Sequence, residues 1–216
     1  MADGEGVRWG GLRRRRTYAQ GTVPSYLGRW QQGCVVESEV GLETSVWFPP
    51  ALASDGAGGV WLGLSSGLYH ESGSGCVRVY PADVDGFSPV SVVATDAAGR
   101  LYFDCRLDLP GTWQLVRHDG QAFEVLITRP GAPGHPTALV PDLAGGLWLG
   151  LGTVETQGQG AGLARLTADG RWQRWRVADG LVDDRVMDLA EDEGGRDANP
   201  GGLEGPARGK GRDEEK

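Results

Sequence analysis

The stretch Asp55-Gly56-Ala57-Gly58-Gly59-Val60-Trp61-Leu62-Gly63-Leu64 decides the architecture, because it recurs. It returns as Asp142-Leu143-Ala144-Gly145-Gly146-Leu147-Trp148-Leu149-Gly150-Leu151. Between the two lies Asp96-Ala97-Ala98-Gly99-Arg100-Leu101-Tyr102-Phe103-Asp104, with Tyr in the Trp position. A fourth start, Asp192-Glu193-Gly194-Gly195-Arg196, keeps the turn residues without an apolar strand after them. The spacings of 41, 46 and 50 residues match the length of one four-stranded propeller blade.

Each copy predicts a meander. The Asp side chain of Asp-x-x-Gly can accept hydrogen bonds from nearby backbone N–H groups, and Gly tolerates positive φ, so the motif is a turn. Arg185–Ala190, before the fourth copy, alternates apolar and polar residues like a strand. After the third copy, Leu147–Leu151, Gly162–Leu166 and Trp172–Val177 read as successive strands, with Asp169-Gly170 between the last two. Asp119-Gly120 likewise separates Trp113–Arg117 from Phe123–Ile127, and Asp-Gly between alternating runs is a hairpin signal. One meander has two open faces and two raw edges and is marginal alone. Stacking copies around an axis buries the Trp61, Tyr102 and Trp148 row between neighbours, whereas a sandwich requires no such period. The expected fold is all-β: a partial β-propeller of about three to four blades, each a four-stranded antiparallel meander.

Composition agrees. The chain has 216 residues and a formal charge of −8, with 37 Gly and 12 Pro, which favours tight turns over long helices. No apolar stretch reaches the ~20 residues of a membrane helix. The acidic balance argues against nucleic acid, which draws on clustered Lys and Arg. Residues 1–33 contain the run Arg13-Arg14-Arg15-Arg16 and read as a basic, flexible arm without the apolar segment of a secretory signal. The compartment stays open, with the cytoplasm expected if Met1 is the authentic start. Residues 34–195 hold the propeller repeats, and 196–216 read as a disordered charged tail. Cys34, Cys76 and Cys105 are too few and too scattered for a disulfide framework.

Gly180-Leu181 with Val186, Leu189, Asp192 and Gly195, and Trp61-Leu62-Gly63 followed by Gly67-Leu68-Tyr69, resemble the two-component regulator propeller repeat. The resemblance runs from about Gly41 to Gly195. It implies the sensory propeller of a hybrid two-component regulator, several of which are linked to carbohydrate sensing. It carries over no catalytic residue. The interrupted fourth repeat adds the expectation of a fragment, a truncated product or one arc of an oligomeric ring.

The search for chemistry yields little. His70, His118 and His135 lack the short spacing of zinc ligands. Asp83-Val84-Asp85-Gly86 lacks the further acidic positions of a calcium loop. Gly205–Lys210 is too short for a phosphate loop and has no Ser or Thr after Lys210. Ser65-Ser66, Ser72 and Ser74 have no nucleophile-elbow context. The carboxylate pairs Asp183-Asp184 and Glu191-Asp192 fall in expected turns. Trp47-Phe48, Trp113, Trp172 and Trp175 could offer stacking faces to a sugar, with packing between blades as the plainer role. No catalytic or metal site and no cofactor is assigned, and the ligand-binding residues stay open. The expected function is a non-enzymatic sensory or ligand-binding propeller. A carbohydrate or other small ligand, a signalling protein, and an oligomer completing the ring are the partners in view. The alternatives are a streptogramin-lyase-like propeller enzyme, whose repeats usually continue Trp-Phe where Trp61 and Trp148 continue Leu-Gly, and a protein-interaction scaffold.

Overall fold

The computed structural model describes residues 8–13, 22–31, 34–45, 51–72, 76–80, 89–107, 112–129, 135–152, 160–191 and 197–198. The chain forms two compact units, Met1–Asp108 with Gln114–Ile127, and Leu109–Trp113 with Thr128–Lys216.

The first unit opens with a three-stranded sheet of β1 (Arg8–Arg13), β2 (Thr22–Gln31) and β3 (Cys34–Ser45), paired in the order β1-β2-β3. Two of these strands run through residues 1–33, the segment read from sequence as a basic arm. A four-stranded meander follows: β4 (Ala51–Ser54), β5 (Val60–Leu64), β6 (Gly67–Glu71) and β7 (Cys76–Tyr80), each hydrogen-bonded to the next. A second has β8 (Val93–Thr95), β9 (Leu101–Arg106), β10 (Trp113–His118) and β11 (Phe123–Arg129) in the same sequential order. Leu68, Val90, Leu101, Phe103, Cys105 and Val116 form a core between these two sheets, and Trp61, Val79, Tyr80 and Val93 pack against it. The Thr95 hydroxyl donates to the Ser54 carbonyl at 3.0 Å.

The second unit holds a third meander of β12 (His135–Pro141), β13 (Leu147–Gly152), β14 (Gly162–Leu166) and β15 (Trp172–Trp175). β15 stops short of Val177, because Val177–Asp179 turns into a single 3-10 turn closed by Gly180 at φ 109°. The next segment then packs on this sheet, with Val186, Leu189 and Ala138 forming a core supported by Val140, Trp148, Leu163 and Leu181. The expected strand over Arg185–Ala190 is reduced to β16 (Ala190–Glu191), paired with β17 (Asp197–Ala198). Val186 and Leu189 are buried while Met187 is 55% exposed. The segment therefore packs on the sheet without strand geometry, and among the described residues its pairing begins only at Ala190–Glu191.

The architecture is a partial β-propeller, and its sequence rule is visible in the strand starts. β5, β9, β13 and β17 each begin five residues after the Asp of an Asp-x-x-Gly turn: Asp55, Asp96, Asp142 and Asp192. β1 begins five residues after Asp3, in Asp3-Gly4-Glu5-Gly6-Val7-Arg8-Trp9-Gly10-Gly11. This copy has the same Asp, Gly, Trp and Gly positions as the Asp55 and Asp142 copies. The hairpin registers coincide as well: Ser54↔Val60, Thr95↔Leu101, Pro141↔Leu147 and Glu191↔Asp197.

Candidate functional site

The turns are built by one carboxylate oxygen of each Asp. Asp55 Oδ1 accepts from the backbone N–H of Ala57 and Gly59, both at 2.8 Å. Asp96 Oδ1 accepts from Ala98 and Arg100, both at 2.9 Å, and Asp142 Oδ1 from Gly146 at 2.6 Å. Gly58, Gly99 and Gly145 all have positive φ, as the motif requires.

The second oxygen holds a cation or donor beside the blade's aromatic ring. Asp55 Oδ2 lies 2.9 Å from His70 Nε2, and the His70 ring stacks on Trp61 with centroids 4.2 Å apart. At the equivalent positions Arg165 donates to Asp142 Oδ2 at 2.6 and 2.8 Å, and its guanidinium lies over the Trp148 ring at 5.2 Å. In the second blade Arg100 Nε serves Asp96 Oδ2 at 2.6 Å, with the Tyr102 hydroxyl at 3.3 Å. Burial pushes the Asp55 and Asp96 carboxyls up. Their neighbouring donors, led by His70 for Asp55 and by Arg100 for Asp96, outweigh it and leave both below the usual range. Repetition with a changed partner marks this as a hairpin clamp.

His118 lies on the other side of Trp61, its ring centroid 5.8 Å away, and packs on Phe123 at 4.4 Å. The two histidines, far apart in sequence, thus share one aromatic row between the first two meanders. Burial, and His70 nearby, hold His118 below its ordinary pKa, against the pull of Asp119. His135 is buried at the start of β12.

One position breaks the repeat. Where the first and third meanders have Gly63 and Gly150, the second has Asp104, fully buried. Its Oδ1 accepts from the Ser91 and Val92 backbone N–H at 2.6 and 2.8 Å, and its Oδ2 from the Ser91 hydroxyl at 3.1 Å. Burial lifts this carboxyl to about 6 despite those donors. Ser91 follows Val90, whose N–H donates to the Leu64 carbonyl at 2.9 Å. The Asp104–Ser91 network therefore adjoins the Ser65-Ser66 turn, where Ser66 Oγ lies 2.8 Å from the Tyr69 hydroxyl. These residues form a polar cluster at one end of the first two meanders, with Asp104 and Ser65 buried, and this end is the candidate site. Sequence reading passed over Asp104 because it aligned the copies on what they share; the usable signal was the departure from Gly.

The other candidates are dispersed. Trp113 is buried at 3% exposure. Trp175 packs on Trp148 with centroids 5.2 Å apart, and Arg129 covers Trp172 at 5.1 Å, so these three rings pack. Asp183 and Asp184 accept the backbone N–H of Arg185 and Val177, as turn residues do. Cys76 and Cys105 are free thiols. Among the described residues no three potential ligands converge on a metal position. Trp47-Phe48, Ser74, Asp83–Gly86, Arg14–Arg16, Asp192 and Gly205–Lys210 lie outside the described residues, as do most of 196–216. Among the described residues no helix is long and apolar enough to cross a membrane.

No family model matches the sequence, and no curated protein does. Solved structures share the fold. The extracellular domain of a one-component system from B. thetaiotaomicron matches with TM-score 0.59 at 10% identity, over 86% of this chain and 27% of that one. A gluconolactonase from Xanthomonas campestris matches with TM-score 0.55 at 12% identity, over 88% and 71%. A nidogen/laminin complex gives TM-score 0.53 at 14% identity, over 80% and 64%. The chain spans about a quarter of the sensor domain's length. The class is therefore a propeller, like those of sensor and enzyme alike.

Proposed function

We propose that the protein is a non-enzymatic sensory or ligand-binding propeller, in which the Ser65-Ser66 and Ser91–Asp104 loop end recognises a carbohydrate or another small ligand. The repeats of residues 34–195 supply the body, and a signalling protein reads the change. One observation carries this reading. The carboxylates of Asp55, Asp96, Asp142 and Asp104, and the His70 imidazole, are all engaged in holding turns and strands. That favours recognition over turnover, since acid–base catalysis needs such groups directed at a substrate.

A thermal-shift screen of glycans and metabolites on the full chain tests it. A ligand at a hundred times its Kd stabilises by about 2.7 kcal/mol, and Ser66→Ala, at the half-buried turn of this end, should reduce the shift. Absence of any stabilising compound would sink the reading. A gluconolactonase shares the fold, so lactone hydrolysis by the purified chain is the second arm, and turnover there would replace binding with catalysis.

A further inference from the structure

The third meander gathers positive charge that the hairpin clamps do not use. Along β15, Trp172 and Arg174 lie on one face, opposite Leu166 and Ala164, and Arg176 follows directly after the strand. Arg129, the last residue of β11, brings its guanidinium over the Trp172 ring at 5.1 Å. Arg174 and Arg176 are exposed and Arg129 is half-buried. Arg174 is held in place by donating its Nε and Nη2 to the Ala161 carbonyl, the first at 2.7 Å. A guanidinium has five N–H donors, so this grip leaves the Nη1 edge for another acceptor. Partial burial, then the like charge of Arg176, hold Arg174 below its ordinary pKa; Asp184 pulls the other way and Arg129 adds to the lowering. The three guanidiniums thus crowd one another.

The neighbouring carboxylates are committed to the backbone. Asp184 Oδ1 accepts from the Val177 N–H at 2.7 Å, and Asp179 Oδ2 from the Arg176 N–H at 3.0 Å. Elsewhere on this sheet Arg165 and Arg171 are each paired, with Asp142 and Asp169. Arg129, Arg174 and Arg176 form no ion pair among the described residues. Like charges left together oppose folding, and they are conspicuous in a chain of formal charge −8.

We infer that Arg129, Arg174 and Arg176 form a binding site for a doubly charged tetrahedral oxyanion, the phosphate or sulfate group of a small ligand. Guanidinium N–H donors match such oxygens in spacing and plane. Of the charged groups acting on Arg174, two are cations and one is a carboxylate, so the site keeps a positive surplus that a dianion offsets. Trp172 seats the Arg129 guanidinium, and Ala161 seats that of Arg174. Both side chains therefore lose less freedom on binding than free ones would.

Calorimetric titration of the full chain with sodium phosphate and, separately, sodium sulfate tests this, with chloride holding the ionic strength constant and at mildly alkaline pH, where both anions are doubly charged. Saturable binding is the expected result, and the tighter of the two anions identifies the group; saturation by neither overturns the inference. Arg129→Gln and Arg176→Gln should each weaken binding about tenfold or more. Arg171→Gln removes the same charge from a guanidinium already bound to Asp169, and should leave the affinity within about twofold. An equal loss in Arg171→Gln would reduce the effect to general charge screening and refute the site. Circular dichroism of the variants should match wild type, since the substituted side chains lie at the surface. Ser66→Ala should leave the anion response unchanged, which separates this outcome from that of the ligand screen.

Discussion

A Cβ on Gly63 would lie 2.8 Å from both the Cγ1 and the carbonyl oxygen of Val90, and a Cβ on Gly150 would meet Val186 in the same way at 2.9 and 3.1 Å. The glycine of Trp-Leu-Gly-Leu is thus the place where the segment leading into the next repeat lies against the sheet. Gly63→Ala and Gly150→Ala should each cost about 1–3 kcal/mol through overpacking against backbone. Chemical denaturation of the two variants checks this, and an unchanged midpoint for Gly63→Ala would contradict the assigned contact.

His70 and Arg165 occupy one structural position, each bound to the turn Asp and lying on the ring of its blade. His70→Arg should therefore leave stability within about 1 kcal/mol of wild type. His70→Ala should lose about 1–3 kcal/mol, because Asp55 Oδ2 forfeits its partner. Thermal melts of the pair decide it, and equal losses for Arg and Ala would show that Arg cannot replace His70 at this position.

Asp104 sets a pH dependence. Its folded pKa of about 6 lies above the ordinary 3.8, so the folded state binds its proton more tightly than the unfolded state. The resulting stabilisation is complete below about pH 4 and is lost as pH rises through about 6. The rise corresponds to roughly 3 kcal/mol at full loss. Asp104→Asn keeps an acceptor for the Ser91 and Val92 N–H groups and has no such titration. Stability of wild type relative to this variant, followed by urea unfolding, should decline between pH 4 and 6. A constant difference across that range would remove Asp104 as the cause.

Burial raises the Cys105 thiol to about 12 and the Cys76 thiol to about 11, with Asp104 and Glu71 adding to the respective effects. Since the thiolate is the reactive form, peptides carrying either cysteine should alkylate slowly at pH 8 in the native protein and quickly in urea. Mass spectrometry of iodoacetamide-treated protein measures both rates, and fast native labelling of Cys105 would be incompatible with its burial.

The repeat was legible because its physics is local. Asp-x-x-Gly folds on itself through an Asx-type turn and a glycine at positive φ, and the strands on either side then alternate. The Asp55, Asp96 and Asp142 hairpins consequently occupy the positions expected of them. The Asp3 copy carries the same signature but sits among arginines that read as an arm, and composition overshadowed the motif. The candidate face was hardly legible at all. Ser91 and Asp104 are chemically ordinary in sequence, and nothing local says that one carboxylate will gather two amides and a hydroxyl across a strand pair.

The sequence by itself determined the period, the turns, the hairpin register and the all-β class, since each follows from contacts within a few residues. Only the tertiary structure decided that Gly63 and Gly150 serve close strand approach, that His70 and His118 share the Trp61 row, and that Asp104 is buried. Those facts depend on which faces of separate meanders meet. Packing between segments far apart in the chain settles that choice, and desolvation there alters the chemistry of the groups it encloses.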